Sequence, residues 1–187
     1  MSDLPEVFDL GAEEEAERLW QGAKTARESA SDDLVALCEA LDLGLRAAEI
    51  LVIRKLSPIK DQFPATIAIQ LGTPDPEVDT REDAITVPNS LQFTDILDLL
   101  SGEELECVSP GLHRGWEDRR FSCRRSRVTA REAMGMALTE AERTDLLLLA
   151  AYRNRIFRAP PPVRVVRNEI LGAYPALESL VEALVRP

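Results

Sequence analysis

The sequence predicts an α+β fold with N-terminal helices, a small and mostly antiparallel sheet with one inserted helix, and a C-terminal helical segment. Apolar residues recur at three- and four-residue spacing near both ends of the chain, which is the period of a helix. In the middle they alternate or form short runs bounded by Gly and Pro, as strands do. Strands grouped between helical runs favour α+β over a doubly wound parallel sheet. We expect one domain over 1–187; a sub-domain boundary near residue 128 would separate an acidic α+β part (1–128) from a helical part (129–187).

Two helices are predicted in the N-terminal part. A charged surface helix runs from Leu10 to about Ala30, with glutamates in its first turns that complement the helix dipole. The clearest helix in the chain runs from Asp32 to about Leu56, with Ser31 as its N-cap. Its core-facing stripe consists of Leu34, Leu37, Cys38, Leu41, Leu45, Ala48 and Val52. The rest of this helix is also unusually apolar, so we expect it to be central and covered on more than one side.

The middle of the chain is predicted to form the sheet. Ala65–Leu71 alternates and indicates a strand, and Ala84–Val87 indicates a short strand that returns from an acidic, Pro-containing loop. A helix that opens at Pro88 extends over the apolar residues up to Leu100. Leu105–Val108 and Phe121–Val128 are predicted as edge strands.

The final third is predicted to be helical again. Thr129–Glu132 and Thr139–Glu142 both match the capping box that begins a helix. The second box begins a long helix that continues to about Arg158.

The sequence after this helix predicts two shorter helices. Pro160–Pro162 ends the long helix, and Val163–Val166 is expected to be extended. A short helix over Arg167–Ala173 follows, and Pro175 suits the first turn of a separate last helix.

Charge is distributed unevenly along the chain. The formal net charge is −11. Up to Cys107 the sequence has 8 basic and 24 acidic residues, a net of −16, and from Val108 onward it has 14 and 9, a net of +5. All 14 basic residues of the second part are Arg. Such asymmetry indicates an interaction surface, or two parts of one fold that complement each other's charge.

Several chemistries lack their usual motifs. The glycines form neither GxGxxG nor GxxxxGK, which excludes both standard phosphate-binding loops. The single histidine, His113, lies in a turn beside a cationic run and would have to serve any histidine-dependent nucleophile. Cys107, His113 and Cys123 lack the close ligand pairs of a zinc site. Arginines near Cys123 favour its thiolate, but Thr129 stands where a phosphatase loop has its arginine. We expect no catalytic residue, no cofactor and no metal.

The compartment is predicted to be the cytoplasm. The chain starts with acidic residues where a secretory signal would be basic and then apolar. It has three cysteines and no CxxC motif, as in a reduced, disulfide-free protein. It also lacks a run of about 18 apolar residues, so no contact with a membrane is expected.

Two groups of charged residues are the candidate binding sites. The predicted acidic patch consists of Glu13, Glu14, Glu15, Glu17, Asp75, Glu77 and Asp79. The last three resemble the opening of a calcium loop, but Thr80 and Thr86 replace its essential Gly and Glu. The predicted cationic patch consists of Arg119, Arg120, Arg124, Arg125, Arg127, Arg153, Arg155, Arg158, Arg164 and Arg167. Guanidinium groups favour the capture of carboxylate or phosphate.

The function that these features favour is a non-enzymatic protein–protein interaction module, of the adaptor, regulatory, chaperone or inhibitor type, that recognises its partners through patches of opposite charge. One alternative is a protein or enzyme that clamps an anionic small molecule with its arginines, with His113 or Cys123 beside them. A second alternative is nucleic-acid binding by the Arg-rich C-terminal third. The acidic net charge disfavours nucleic acid as a partner, because it repels a polyanion.

Overall fold

A computed structural model describes residues 11–30, 33–63, 71, 93–101, 126–158 and 162–185. These residues are nearly all helical, and among them there is no strand or sheet. The helices are α1 (Ala12–Ser29), α2 (Leu34–Leu56), a 3₁₀ helix (Ser57–Gln62), α3 (Phe93–Leu100), α4 (described over 126–134), α5 (Glu140–Arg158) and α6 (Arg167–Val185). None of the helices in this part of the chain is long and apolar enough to cross a membrane.

The predicted α+β fold is therefore wrong for the described residues. Leu71, at the end of one predicted strand, is helical and fully buried, and residues 126–128 of another predicted strand belong to α4. A short apolar run does not distinguish a strand from a buried helix by its pattern alone. Ser126, Ala130 and Met134 of α4 are all buried at four-residue spacing, which is the spacing of one face of a helix and not of a strand. The remaining predicted strand residues lie outside the described part.

α2 is the central helix of the described structure, as its sequence predicts. It packs against α1, α3, α5 and α6. Its buried residues lie on several sides of the helix and are Ala36, Leu37, Ala40, Leu41, Gly44, Leu45, Ala47, Ala48, Leu51, Val52 and Leu56. An amphipathic surface helix would bury only one stripe.

α1 runs antiparallel to α2 and packs closely on it. Glu13, at the start of α1, pairs with Arg54 near the end of α2, and a Cβ at Gly22 would lie 3.2 Å from Leu43 Cδ1. The buried face of α1 includes Ala16, Ala23 and Ala26 beside two large residues. Small side chains at a contact shorten the distance between two helix axes.

Gly44 lies where α1, α2 and α6 meet. A Cβ at this position would be 2.9 Å from Leu177 Cδ2, 3.4 Å from the Tyr174 hydroxyl and 3.5 Å from Trp20 Cζ3. Tyr174 donates a 3.2 Å hydrogen bond to the carbonyl of Ala40. Since all three neighbours approach the α2 backbone here, a larger residue at this position would have to displace their side chains.

α5 is joined to α3 and α6 by polar contacts. The Leu138 N–H, just before α5, donates to the Leu100 carbonyl at 2.9 Å beside an isolated parallel bridge of Ser101 with Leu138. Arg143 pairs with Asp98 of α3 at 2.6 Å. At the other end of α5, the Tyr152 hydroxyl donates to the carboxylate of Glu169 in α6.

Of the two predicted capping boxes, one is confirmed. The Glu142 N–H donates to Thr139 Oγ1 at 3.2 Å and the Thr139 N–H donates to Glu142 Oε2 at 2.9 Å, at the start of α5. The box predicted at Thr129–Glu132 is wrong, because Thr129 lies inside α4.

The predicted N-cap of α2 is also corrected. Asp33 caps this helix, with an extended backbone and with Oδ1 accepting from the Val35 N–H at 2.8 Å. Ser31, the predicted cap, lies outside the described residues.

The predicted break between two C-terminal helices is wrong, because α6 continues through Pro175. Proline in a helix removes one backbone hydrogen bond and crowds the carbonyl four residues earlier. The exposed position of Pro175 limits this disruption to the solvent side. The buried stripe continues across it and consists of Ile170, Ala173, Tyr174, Ala176, Leu177, Leu180, Val181 and Leu184. Val163–Val166, before α6, lies outside helix and strand.

The junction at Gly44 predicts unequal effects of one substitution at two helical glycines. Gly44→Val should lower the free energy of unfolding by about 1–3 kcal/mol, because its methyl groups would overpack the contacts with Leu177 and Trp20. Gly172→Val is the matched control, since nothing lies within 4 Å of a Cβ there. It should leave the free energy within about 0.5 kcal/mol of wild type. Urea unfolding followed by circular dichroism measures both, and equal stability of the two variants would contradict the close approach.

The capping box predicts that Thr139→Ala destabilises the protein by about 1 kcal/mol, because the Glu142 N–H loses its acceptor and the Glu142 carboxylate loses the Thr139 hydroxyl as a donor. Thr144→Ala serves as the control. The Thr144 hydroxyl only donates to the Glu140 carbonyl inside the helix, where alanine is equally good or better. A Thr144→Ala variant as unstable as Thr139→Ala in thermal unfolding would count against the cap.

The two tyrosines of the chain should both ionise above the usual pKa of about 10. The hydrogen bond to Glu169 and then burial raise the pKa of Tyr152, and burial and then the charge of Glu178 raise the pKa of Tyr174. The stability that these phenols contribute is complete below pH ~10 and is lost as the pH rises through their folded-state pKa values.

Tyrosinate absorbance during an alkaline titration tests this expectation. The folded protein should show no ionisation step near pH ~10, whereas the urea-unfolded chain should titrate there. Tyr174→Phe leaves Tyr152 as the reporter of its own pKa. If Tyr152 in this folded variant ionised near pH ~10, the hydrogen bond to Glu169 would not be raising its pKa.

Candidate interaction surfaces

Four predicted cationic residues lie at the ends of α5 and α6 that follow each other in the chain: Arg153 and Arg155 in the last turns of α5, Arg164 just before α6 and Arg167 at its start. Together with Phe157 we call them the cationic tip. Arg155 and Arg164 are exposed, whereas Arg153 and Arg167 are partly buried. Of the other predicted members, Arg158 ends α5 and its side chain is not among those described, and Arg127 is only 8% exposed in α4. Arg119, Arg120, Arg124 and Arg125 lie outside the described residues.

Arg153 makes the ion pair that ties the tip to the helical core. One of its guanidinium nitrogens lies 2.7 Å from Glu49 Oε1 of α2, and the two side chains are 15% and 21% exposed. The pair joins residues 104 positions apart in the sequence. Removing either partner would leave a half-buried charge without its counter-charge, which destabilises a protein more than breaking a surface pair does.

Arg155 is held on the solvent side of α5 by an aromatic contact. Its guanidinium carbon lies 5.9 Å from the centre of the Tyr152 ring, which is within the range of a cation–π interaction. The Tyr152 hydroxyl is in turn bonded to Glu169 of α6. Arg155 is therefore exposed while its position depends on a side chain that joins two helices.

Phe157 is the exposed aromatic of the tip. It is 56% exposed in the last turn of α5. Helical spacing places it four residues after Arg153, on the face that earlier carries buried Leu146 and Ala150. The apolar stripe of α5 thus continues past the edge of the core and ends in an aromatic ring beside arginines.

The described part of the acidic patch is the start of α1. Glu13 pairs with Arg54 of α2, and Glu15 accepts two hydrogen bonds from Arg18, at 2.7 and 2.8 Å. The Arg18 hydrogen bond lowers the pKa of Glu15, with a smaller effect from the charge of Arg46. Glu14 and Glu17 are exposed. The predicted loop members Asp75, Glu77 and Asp79 lie outside the described residues.

The structure brings each predicted patch to α2 rather than to the other patch. Arg54 of α2 binds Glu13, and Glu49, less than two turns earlier on the same helix, binds Arg153. Glu13 and Glu15 of the acidic patch and Arg153 of the cationic patch are therefore paired inside the molecule. The exposed charges Glu14 and Glu17 on one side, and Arg155 and Arg164 on the other, are directed to solvent.

Two residues of these surfaces were not among the predicted site residues. Phe157 lies on the face of Leu146 and Ala150, seven residues after Ala150 and three before the proline run. This position was the available signal for an aromatic residue near a helix end. Glu49 is an acidic residue within the apolar run from Ala47 to Ile53, where a charge needs a partner. Its partner is too distant in sequence for any local pattern to identify.

The described residues offer little for nucleophilic or metal chemistry. They contain no group of three or more His, Cys, Asp or Glu side chains that could hold a metal ion. Cys38 is half-buried, and burial followed by the charge of Asp33 raises its thiol pKa, which is opposite to the shift of an activated cysteine. Cys107, His113 and Cys123 lie outside the described residues.

The contacts and charges of the two surfaces are the basis for the function proposed for this chain. Comparisons of the chain with protein-family models, with curated proteins and with solved structures found no match.

Proposed function

We propose that this protein is a non-enzymatic interaction module of the cytoplasm that recognises partner proteins through two surfaces of opposite charge. One surface is the start of α1 with Glu14 and Glu17, and the other is the cationic tip. The observation that carries the proposal is the exposed aromatic ring of Phe157 in the last turn of the helix that also carries Arg153 and Arg155. Aromatic residues and Arg are enriched in the cores of protein–protein interfaces.

The contacts of the arginines support a surface role over that of a small-anion clamp. Small-molecule sites are concave and converge a few polar groups on one ligand. Here Arg153 is bound to Glu49, while Arg155 and Arg164 are exposed on the helix and on the following segment.

The acidic start of α1 adds a second element of recognition. Glu14 and Glu17 lie on a helix whose neighbouring acids Glu13 and Glu15 are paired with arginines of the same chain. Exposed charges of one sign steer the encounter with a partner of opposite sign, and this raises the association rate more than the affinity. A basic protein surface is therefore the partner chemistry that suits α1.

Exchange of the α1 charges tests the proposal. We expect the immobilised wild-type chain to retain a defined set of basic proteins from its host extract, and Glu14→Lys/Glu17→Lys to lose them. The matched control is Glu28→Lys/Glu132→Lys, which makes the same change in net charge at two exposed positions elsewhere. Quantitative mass spectrometry of the retained proteins, with a thermal-unfolding check of each variant, measures the difference.

Two results would contradict the interaction module. One is that the wild type and the α1 variant retain the same proteins, or that the wild type retains no protein that beads without the chain do not also retain. The other is a large rise in the melting temperature of wild type with inorganic phosphate or with one metabolite, because a ligand that binds the native state stabilises it. The second result would favour the small-anion clamp instead.

A further inference from the structure

We propose that Lys24 and Arg27, in the C-terminal half of α1, form an anion-binding site that takes a carboxylate from an acidic segment of a partner protein. We call these two residues the cation pair. Each of them lies over an aromatic ring, and neither is bound to a carboxylate among the described residues. The inference rests on the proposed function, to which it adds a third surface that shares no residue with the other two.

The rings beneath the cation pair meet at Gly44. Lys24 Nζ lies 5.9 Å from the centre of the Trp20 ring. The guanidinium carbon of Arg27 lies 5.2 Å from the centre of the Tyr174 ring. Trp20 and Tyr174 both approach the α2 backbone, to 3.5 Å and 3.4 Å from a Cβ at Gly44. These contacts place both cations over one aromatic cluster.

Helical spacing makes the two cations neighbours as well. Residues three apart on a helix have Cβ atoms about 5–6 Å from each other, and like charges at this spacing destabilise the helix. The helix dipole favours a cation such as Arg27 in the last turn of α1, but it does not account for Lys24 one turn earlier. An anion that contacts both groups would remove their repulsion.

Arg27 has no counter-charge, unlike other half-buried arginines of the chain. Arg143 and Arg153 each bind a carboxylate oxygen, at 2.6 Å and 2.7 Å. In the described part of the chain, no carboxylate oxygen lies within 4.0 Å of the charged group of Arg27 or of Lys24. The Nε of Arg27 is buried without a hydrogen-bond partner there. Since a half-buried charge is costly without a counter-charge, a carboxylate from a partner would stabilise Arg27.

The acidic residues nearby favour an anion of low charge. Glu28 is exposed one turn after Lys24, and half-buried Glu178 of α6 is close enough to raise the pKa of Tyr174. These charges repel a phosphate group, which carries almost two negative charges, more strongly than a carboxylate with one. The net charge of −11 also repels a long polyanion such as nucleic acid.

The shape of the site suits a protein partner better than a small anion. Small-molecule sites are concave, whereas Lys24 is exposed on the outside of a helix and the rings of Trp20 and Tyr174 are buried beneath the cation pair. A partner carboxylate would accept charge-assisted hydrogen bonds from both cations. The rings restrict both side chains before binding, which reduces the entropy lost on complex formation.

A fluorescein-labelled peptide of Glu-Glu-Gly repeats is the probe, read by fluorescence anisotropy with the full-length chain at low and moderate salt. A Gln-Gln-Gly peptide and an oligo-dT strand of matched length are the comparison ligands. The wild-type chain should bind the acidic peptide at least about fivefold more tightly than either, because the site requires carboxylates.

A double variant locates the binding site. Lys24→Gln/Arg27→Gln should weaken binding by about fivefold or more at low salt, and by less at moderate salt, because salt screens the exposed charges. Arg46→Gln/Lys60→Gln is the matched control, since it removes the same two charges at exposed positions of α2 and of the 3₁₀ helix. The control should stay within about twofold of wild type.

Single variants at Lys24 keep the test decisive if loss of the half-buried Arg27 unfolds the chain. Lys24 is exposed, so its substitution leaves the core intact. Lys24→Gln should weaken binding by about threefold or more at low salt. Lys24→Arg retains the charge and should bind like the wild type. Circular dichroism of each variant confirms that it is folded.

Four results would overturn the cation pair as a site: no binding of the acidic peptide, equal losses in the double variant and its control, an unchanged affinity after Lys24→Gln, or tighter binding of oligo-dT. The retention of basic proteins through Glu14 and Glu17 is measured separately. A cation pair that fails while this retention persists removes the third surface alone. Lost retention would instead contradict the proposed function, whatever the peptide does.

Discussion

Burial of α2 on several sides is the constraint on which the rest of the described structure depends. Helices packed against it can approach only as closely as its side chains allow, and Gly44 and the alanines set that distance. The same burial favours a counter-charge for the half-buried Glu49, because such an ion is costly without one. Arg153 of α5 supplies that counter-charge, and the more exposed Arg54 pairs with Glu13 of α1.

The two ion pairs connect the stability of the fold with the layout of its surface charge. Each uses one residue from a like-charged cluster, while Glu14 and Glu17 in one cluster and Arg155 and Arg164 in the other are exposed. Charge complementarity within the chain is therefore compatible with the recognition of partners that we propose. The internal pair fixes the helix that presents the exposed members, so that Arg155 and Phe157 are displayed from a helix anchored one turn earlier.

The helices with a strong apolar periodicity could be predicted from sequence. A helix end could be predicted where its capping residues lie within one turn of each other in the sequence. Most of the predicted stripe of α2 is buried, although Leu34 is 40% exposed and Cys38 is half-buried, and the box of Thr139 with Glu142 is formed. Both features depend only on residues three or four apart, so the local pattern contains the information. The predicted sheet is wrong where the structure describes it, at Leu71 and at residues 126–128, because a short segment does not distinguish a strand from a buried helix by its pattern alone. For the candidate site, composition identified both charged clusters. The role of Glu49 depends on a contact across 104 residues that no local pattern encodes.

Pro175 has a consequence for how α6 is maintained. A residue without an amide hydrogen interrupts the backbone ladder in the middle of the helix, while the buried stripe from Ile170 to Leu184 continues without a gap. The continuity of α6 across Pro175 is thus supported by the packing of this stripe as well as by the remaining backbone hydrogen bonds of the helix. Without that packing the segment would be a marginal helix in water, since a proline in the interior of an isolated helix costs about 3 kcal/mol.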